Sequence, residues 1–227
     1  MKVPDPSRSS LPLWPLPLLC ALLPFVAAHL GWWLSTEQGL IAACNPYLDG
    51  CASISRAARH GLGNHLFRML MLPAATLQAL CWLAVAQWLQ RDGDPVRVVS
   101  WLGLVAGVFL AVYATFLGSE GKVYELLRRH GVYLYFGSTY LALLFTLQVL
   151  SRRPKVPIYR ALLVVALGFL AVGLTSIGAS YAVTSEALRD RWENVLEWHL
   201  GLWLTALFVT LAWYWRRERL RCTLGQR

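Results

Sequence analysis

Six apolar stretches, each about 20 residues long and nearly free of charge, constrain this chain more than any other feature. They cover 11–34, 66–89, 98–117, 131–150, 159–181 and 195–215, and Leu, Ala, Val and Phe dominate each one. A hydrocarbon core about 30 Å thick is crossed by about 20 such residues as a helix rising about 1.5 Å per residue. Backbone N–H and C=O groups find no water there, so each stretch must satisfy them internally. The expected fold is therefore all-α: a polytopic integral membrane protein, a bundle of six transmembrane helices forming one domain over 1–227. Composition agrees, with 57% hydrophobic and 15% charged residues, where a soluble domain carries about 25% charged. Neither an internal repeat nor a low-complexity tract interrupts the pattern. The net charge of +9 raises nucleic acid as a partner. The basic residues instead occupy short connectors, which is the placement of topology signals, so no nucleic acid is expected.

Those connectors orient the chain. With the N-terminus inside, 13 of the 21 Lys and Arg residues lie on the inner side, among them Arg152, Arg153, Lys155 and the Arg216–Arg221 run. The positive-inside rule then places both termini in the cytoplasm. The membrane is the cell membrane, or an internal membrane in a eukaryotic cell. Lys2, Arg8 and the Val26-x-Ala28 pattern resemble a secretory signal, but the apolar run continues through Trp32–Leu34 and reads as a retained first span. Trp32, Trp33, Trp192 and Trp198 mark the outer interface; Trp14, Trp88, Trp101, Trp213 and Trp215 mark the inner one.

Helices in lipid associate through close packing and polar contacts. The third span carries Gly103-x-x-x-Gly107 with Ala111 and Ala114, and the fifth carries Gly168, Gly173, Gly178 and Ala179. Both read as interior helices. Pro73 removes a backbone donor from the second span and is expected to kink it.

Polar chemistry gathers at the outer side. All five histidines, His29, His60, His65, His130 and His199, fall there. Glu186, Asp190, Glu193 and Glu197 follow one another at spacings that share a helix face. Arg56, Arg59, Arg128 and Arg129 are available to pair with that face. A charge near a bilayer costs free energy unless it turns inward or finds a partner. This predicts a polar pocket at the outer face with His130, Glu197 and His199 as its core. In a catalytic version His130 is the general base and Glu197 orients it. The alternative is that these residues simply populate the water interface. Metal ligation has no HExxH or CxxC spacing behind it, so neither metal nor cofactor is expected. A haem or metal redox protein using His29, His130 and His199 stays as a further alternative.

Cys44 and Cys51 bracket Asn45-Pro-Tyr-Leu-Asp-Gly50 in the first outer loop. Asn-Pro and Asp-Gly form turns, and an outer compartment is oxidising, so a disulfide is expected. A redox-active pair is the rival reading, and it lacks a second communicating pair on that side.

Three local patterns carry a family resemblance. Ser53-Ile54-Ser55 is followed by Gly61, Gly63 and Phe67 at the second span. His130-Gly131 is followed by Tyr135-Phe136 and Tyr140. Glu197-Trp198 opens the last span, with Phe208 and Thr210 further in. In this order the chain resembles the six-span family of damage-regulated autophagy modulators (DRAM), FRAG and SFK proteins and GPI-anchor lipid-remodelling proteins. The Cys44–Cys51 loop and the absence of a proline before the second span depart from that pattern. The resemblance implies a lipid-handling role: remodelling, lipid distribution or regulation of membrane traffic, with membrane lipids as partners. Ser53, Ile54, Ser55, His130, Gly131, Glu197 and Trp198 are its matching residues. The competing function is a non-catalytic scaffold or accessory subunit that contacts a membrane-protein partner through the Gly103/Gly107 stripe or the Trp-rich ends.

Overall fold

The computed structural model describes residues 10–90, 97–153 and 157–223. A short strand β1 (Ser10–Pro12) leads into α1 (Pro15–Glu37). A loop and the one-turn helix α2 (Ile54–Ala57) follow. Then come α3 (Gly61–Gln90), α4 (Arg97–Phe116), α5 (Lys122–Ser151), α6 (Pro157–Ala182), α7 (Glu186–Arg217) and β2 (Arg221–Thr223). Six of these helices are long and apolar enough to cross a membrane. The protein is an all-α multi-pass bundle.

α5 and α7 each begin nine residues before the apolar run that announces them, at Lys122 and Glu186. Glu, Leu and Arg are good helix formers, so the charged preludes extend both helices beyond the apolar zone. α3 runs on through Pro73, and α1 through Pro24, without losing helical assignment.

The helices form a ring in the order α1, α3, α4, α5, α6, α7 and back to α1, with α5–α6 its loosest seam among the spans. Glycine sets the tightest approach, between α3 and α4. A Cβ on Gly103 would collide with the Trp82 side chain, and one on Gly107 would lie 2.8 Å from Ala79 Cβ and 3.0 Å from Ala75 O. Gly131 plays the same part between α5 and α4, where its missing Cβ leaves room for Tyr113 N and Phe109 O. A buried polar chain crosses the centre: Tyr135 Oη donates to Gln78 Oε1 at 2.7 Å, and Gln78 Nε2 donates to Cys20 O at 3.3 Å. It ties α5, α3 and α1 by the interhelical hydrogen bonding that lipid favours.

α6 departs from the expectation of an interior helix. Its buried residues stop at Phe169. Gly168 packs against the Trp203 ring, but a Cβ on Gly173 or Gly178 would meet nothing within 4 Å. Small residues permit close approach without enforcing it. The C-terminal half of α6, beyond Phe169, holds no buried residue.

β1 and β2 pair antiparallel, Leu11 opposite Cys222, so the segments that precede α1 and follow α7 meet at one end of the bundle.

Candidate functional site at the outer cleft

The loop between α1 and α2 is built around the Cys44–Cys51 disulfide, whose Cα atoms lie 6.3 Å apart. Within it Asn45 Oδ1 accepts from Tyr47 N at 3.0 Å, and Asp49 Oδ2 accepts from Asn45 N at 2.9 Å. These are the local bonds by which Asn and Asp stabilise turns. Tyr47 Oη then meets His29 Nε2 at 2.8 Å. His29 Nδ1 lies 2.7 Å from Phe25 O, a carbonyl that only accepts. Nδ1 therefore carries a proton, and Nε2 pairs with the Tyr47 hydroxyl.

α7 reads the rest of this loop with one helical stripe. Arg191 Nε donates to Asp49 O at 3.0 Å, Asn194 Nδ2 to Gly50 O at 2.9 Å, and Trp198 Nε1 to Ala52 O at 2.9 Å. Positions 191, 194 and 198 fall on one face at spacings of three and four, so one side of the helix serves the carbonyls of residues 49, 50 and 52 of the loop. Glu197 continues the pattern by accepting from Ser55 N at 3.2 Å. Ser53 caps α2 by accepting from Arg56 N at 3.1 Å. The other end of α2 is held by Ser35 Oγ on Ala57 O at 2.6 Å and by Asn64 Nδ2 on Ala58 O at 2.9 Å. A single turn of helix, too short to be stable alone, is thus fixed at both ends by the bundle.

The bracing of α2 matters because Arg56 and Arg59 leave from it. They line a cleft of about 680 Å³ together with Arg128 and Arg129 of α5. Asp190, Glu193 and Glu197 of α7 form the facing wall, and Ser176 and Ser180 of α6 border it. Further in, the lining becomes apolar with Val132, Phe136, Val172 and Leu200. A smaller cavity of about 60 Å³ shares Tyr113, Val132, Phe136 and Glu197 with the cleft and is lined beyond them by Phe67, Met71 and Leu110. Burial, then the like charges of Arg128 and Arg56, push the Arg59 guanidinium below its usual range. Arginine does not titrate at physiological pH, so this reports burial and neighbouring positive charge rather than a lost proton.

The expected pairing of these arginines with the acidic face of α7 is not made. Among the described residues the only ion pair is Arg129–Glu125 at 3.7 Å, exposed and within α5. Among the described residues no guanidinium comes within 4.0 Å of a carboxylate of α7. Glu186 does not line it.

The motif residues behave differently from one another. Ser55 meets Glu197 through its backbone N–H, Ile54 packs against the cluster that holds Trp198, and Trp198 Nε1 donates to Ala52 O, one residue before Ser53. Gly131 packs on α4. His130 is exposed, bonds its own helix at Leu126 O over 2.9 Å, and does not line the cleft. His199 likewise bonds Val195 O at 2.9 Å and turns its ring edge to Tyr47 at 5.8 Å. His130, Glu197 and His199 therefore do not converge, because the histidines leave α5 and α7 on faces turned away from the cleft. His29 and His199 flank Tyr47, and His130 stands apart from them. No three His, Cys, Asp or Glu side chains among the described residues are grouped to hold a metal ion. Sequence reasoning missed Arg191 and Asn194 as loop anchors; their only signal was helical spacing with Trp198.

Comparison with protein families, with curated proteins and with solved structures finds no match.

Proposed function

We propose that this protein binds and handles a membrane lipid through the outer cleft, with the polar head among the charged residues and the acyl part against the apolar wall. One observation carries the reading: a cleft of about 680 Å³ whose mouth is charged and whose inner wall is apolar adjoins the half of α6 that has no buried residue. Its volume falls within the roughly 300–1,000 Å³ of small-molecule sites. An amphipathic cleft beside an unpacked helix suits a ligand that enters sideways from the bilayer. The cleft itself is lined by no His or Cys, and the small cavity adjoining it is lined by His29. The order of the Ser53-Ile54-Ser55, His130-Gly131 and Glu197-Trp198 patterns adds support through the lipid-handling family they resemble. The excess of Lys and Arg assigns the β1–β2 face to the cytoplasm and the cleft to the outer leaflet. A reporter fused after Arg227 that reads as extracytoplasmic overturns that assignment.

The test is the lipid that travels with the protein. The full chain is purified in mild detergent and its lipids are quantified by mass spectrometry against the source membrane. Enrichment of one class, lost in an Arg59→Glu, Arg128→Glu double variant that remains monodisperse, is the expected result. A bulk-membrane profile in both proteins rejects the proposal.

A further inference from the structure

We infer that the cleft is built for a zwitterionic phospholipid head group, a phosphodiester and an ammonium held together; this rests on the lipid-binding reading above and names its ligand class. Charges of both signs face one cavity. Arg56, Arg59, Arg128 and Arg129 line it from α2 and α5, with Glu125 paired to Arg129, and Asp190, Glu193 and Glu197 line it from α7. The sole ion pair among the described residues does not cross between them. A purely anionic head group would satisfy the guanidinium side and be repelled by the carboxylates, and a cationic one the reverse. A head group with both charges meets both walls.

The two walls are equipped for the two halves. Arg59 Nε is buried and has no hydrogen-bond partner among the described residues, and neighbouring guanidiniums crowd it. Guanidinium groups bind phosphate oxygens in bidentate fashion, and an anion between them relieves their mutual repulsion. On α7, Glu197 is already engaged with Ser55 N. That leaves Asp190 and Glu193, both exposed, to receive an amine. Asp190 lies two turns of helix outward of Glu197, about 10 Å along the axis. On α5 the arginines lie outward of Val132 and Phe136. Amine outermost, phosphate at the guanidiniums and chains on the apolar wall is the order in which an outer-leaflet phospholipid presents itself.

The experiment is native mass spectrometry of the full chain in detergent. It is titrated separately with phosphatidylethanolamine, phosphatidylcholine, phosphatidylglycerol, diacylglycerol and water-soluble glycerophosphoethanolamine. Ethanolamine and choline lipids are expected to bind about two- to fivefold more tightly than phosphatidylglycerol, the worth of one partly exposed ion pair. In the Asp190→Lys, Glu193→Lys double variant, which changes only exposed side chains, that preference reverses. Equal binding of all three phospholipids, preference for phosphatidylglycerol, or a preference unmoved by the double variant overturns the zwitterion assignment and leaves lipid binding standing. Glycerophosphoethanolamine binding as tightly as the intact lipid overturns a lipid ligand in favour of a soluble one. No binding by any lipid overturns both readings together.

Discussion

Gly50→Ala examines whether the outer loop is truly docked on α7, on which the position of α2 and its arginines depends. Gly50 has φ of 62°, a left-handed conformation that costs a residue with a Cβ about 1–2 kcal/mol. The added Cβ would also collide with the Arg191 carbonyl and lie 3.0 Å from Val195 Cγ2. A main-chain carbonyl inside a helix cannot rotate aside, so the loop must lift. Lifting strips Asn194 Nδ2, a buried donor, of its Gly50 O acceptor, at about 1–3 kcal/mol for an unsatisfied group. Gly39→Ala is the matched control, since Gly39 has φ of 68° and open space where its Cβ would go. It carries the backbone cost alone. Hydrogen exchange of the 45–57 segment reads the opening free energy of the loop. The difference of about 1–3 kcal/mol predicts exchange roughly 5- to 150-fold faster in Gly50→Ala than in Gly39→Ala. Equal exchange in the two variants would refute the docking argument.

Replacing Cys44 and Cys51 together by Ser removes a cross-link across a separation of seven residues and should cost about 2–3 kcal/mol on the loop-entropy account. Thermal unfolding in detergent with and without reductant checks it, and a melting curve indifferent to reductant contradicts it. Gly103→Ala should destabilise by about 1–3 kcal/mol through overpacking against Trp82, while Gly173→Ala should be neutral or gain up to about 1 kcal/mol in helix propensity. Comparable losses at both sites would mean that α6 packs as closely as α4. Leu11→Cys should oxidise onto Cys222, its partner across the β1–β2 register. Cys222 that remains fully open to alkylation after oxidation would show that the two ends are not paired.

The aggregate features of this protein are properties of short windows of sequence. A run of about 20 apolar residues must be helical in hydrocarbon whatever its neighbours are, so 98–117 announces α4 almost to the residue, and 66–89 announces α3 apart from the five residues at its start. Cys44 and Cys51 are close in the chain and flanked by turn formers, so their pairing is a local matter too. Glycine at 103 and 107 marked α4 as a packing helix, and the same composition marked α6 equally. Only tertiary structure distinguished them: Trp82 and Ala79 are there to meet the glycines of α4, and nothing is there for Gly173 or Gly178. The site depends still more on distant partners. Spacing placed Asp190, Glu193 and Glu197 on one face, but it could not tell that Glu197 would meet Ser55 N, or that Arg191, Asn194 and Trp198 would grip the outer loop. Nor could it turn His130 and His199 away from the cleft, since a side chain's direction depends on how its helix is rotated within the bundle. Apolar length determined the helices one at a time. Their rotation and splay, and hence the cleft, came from the sum of contacts between residues far apart in the chain.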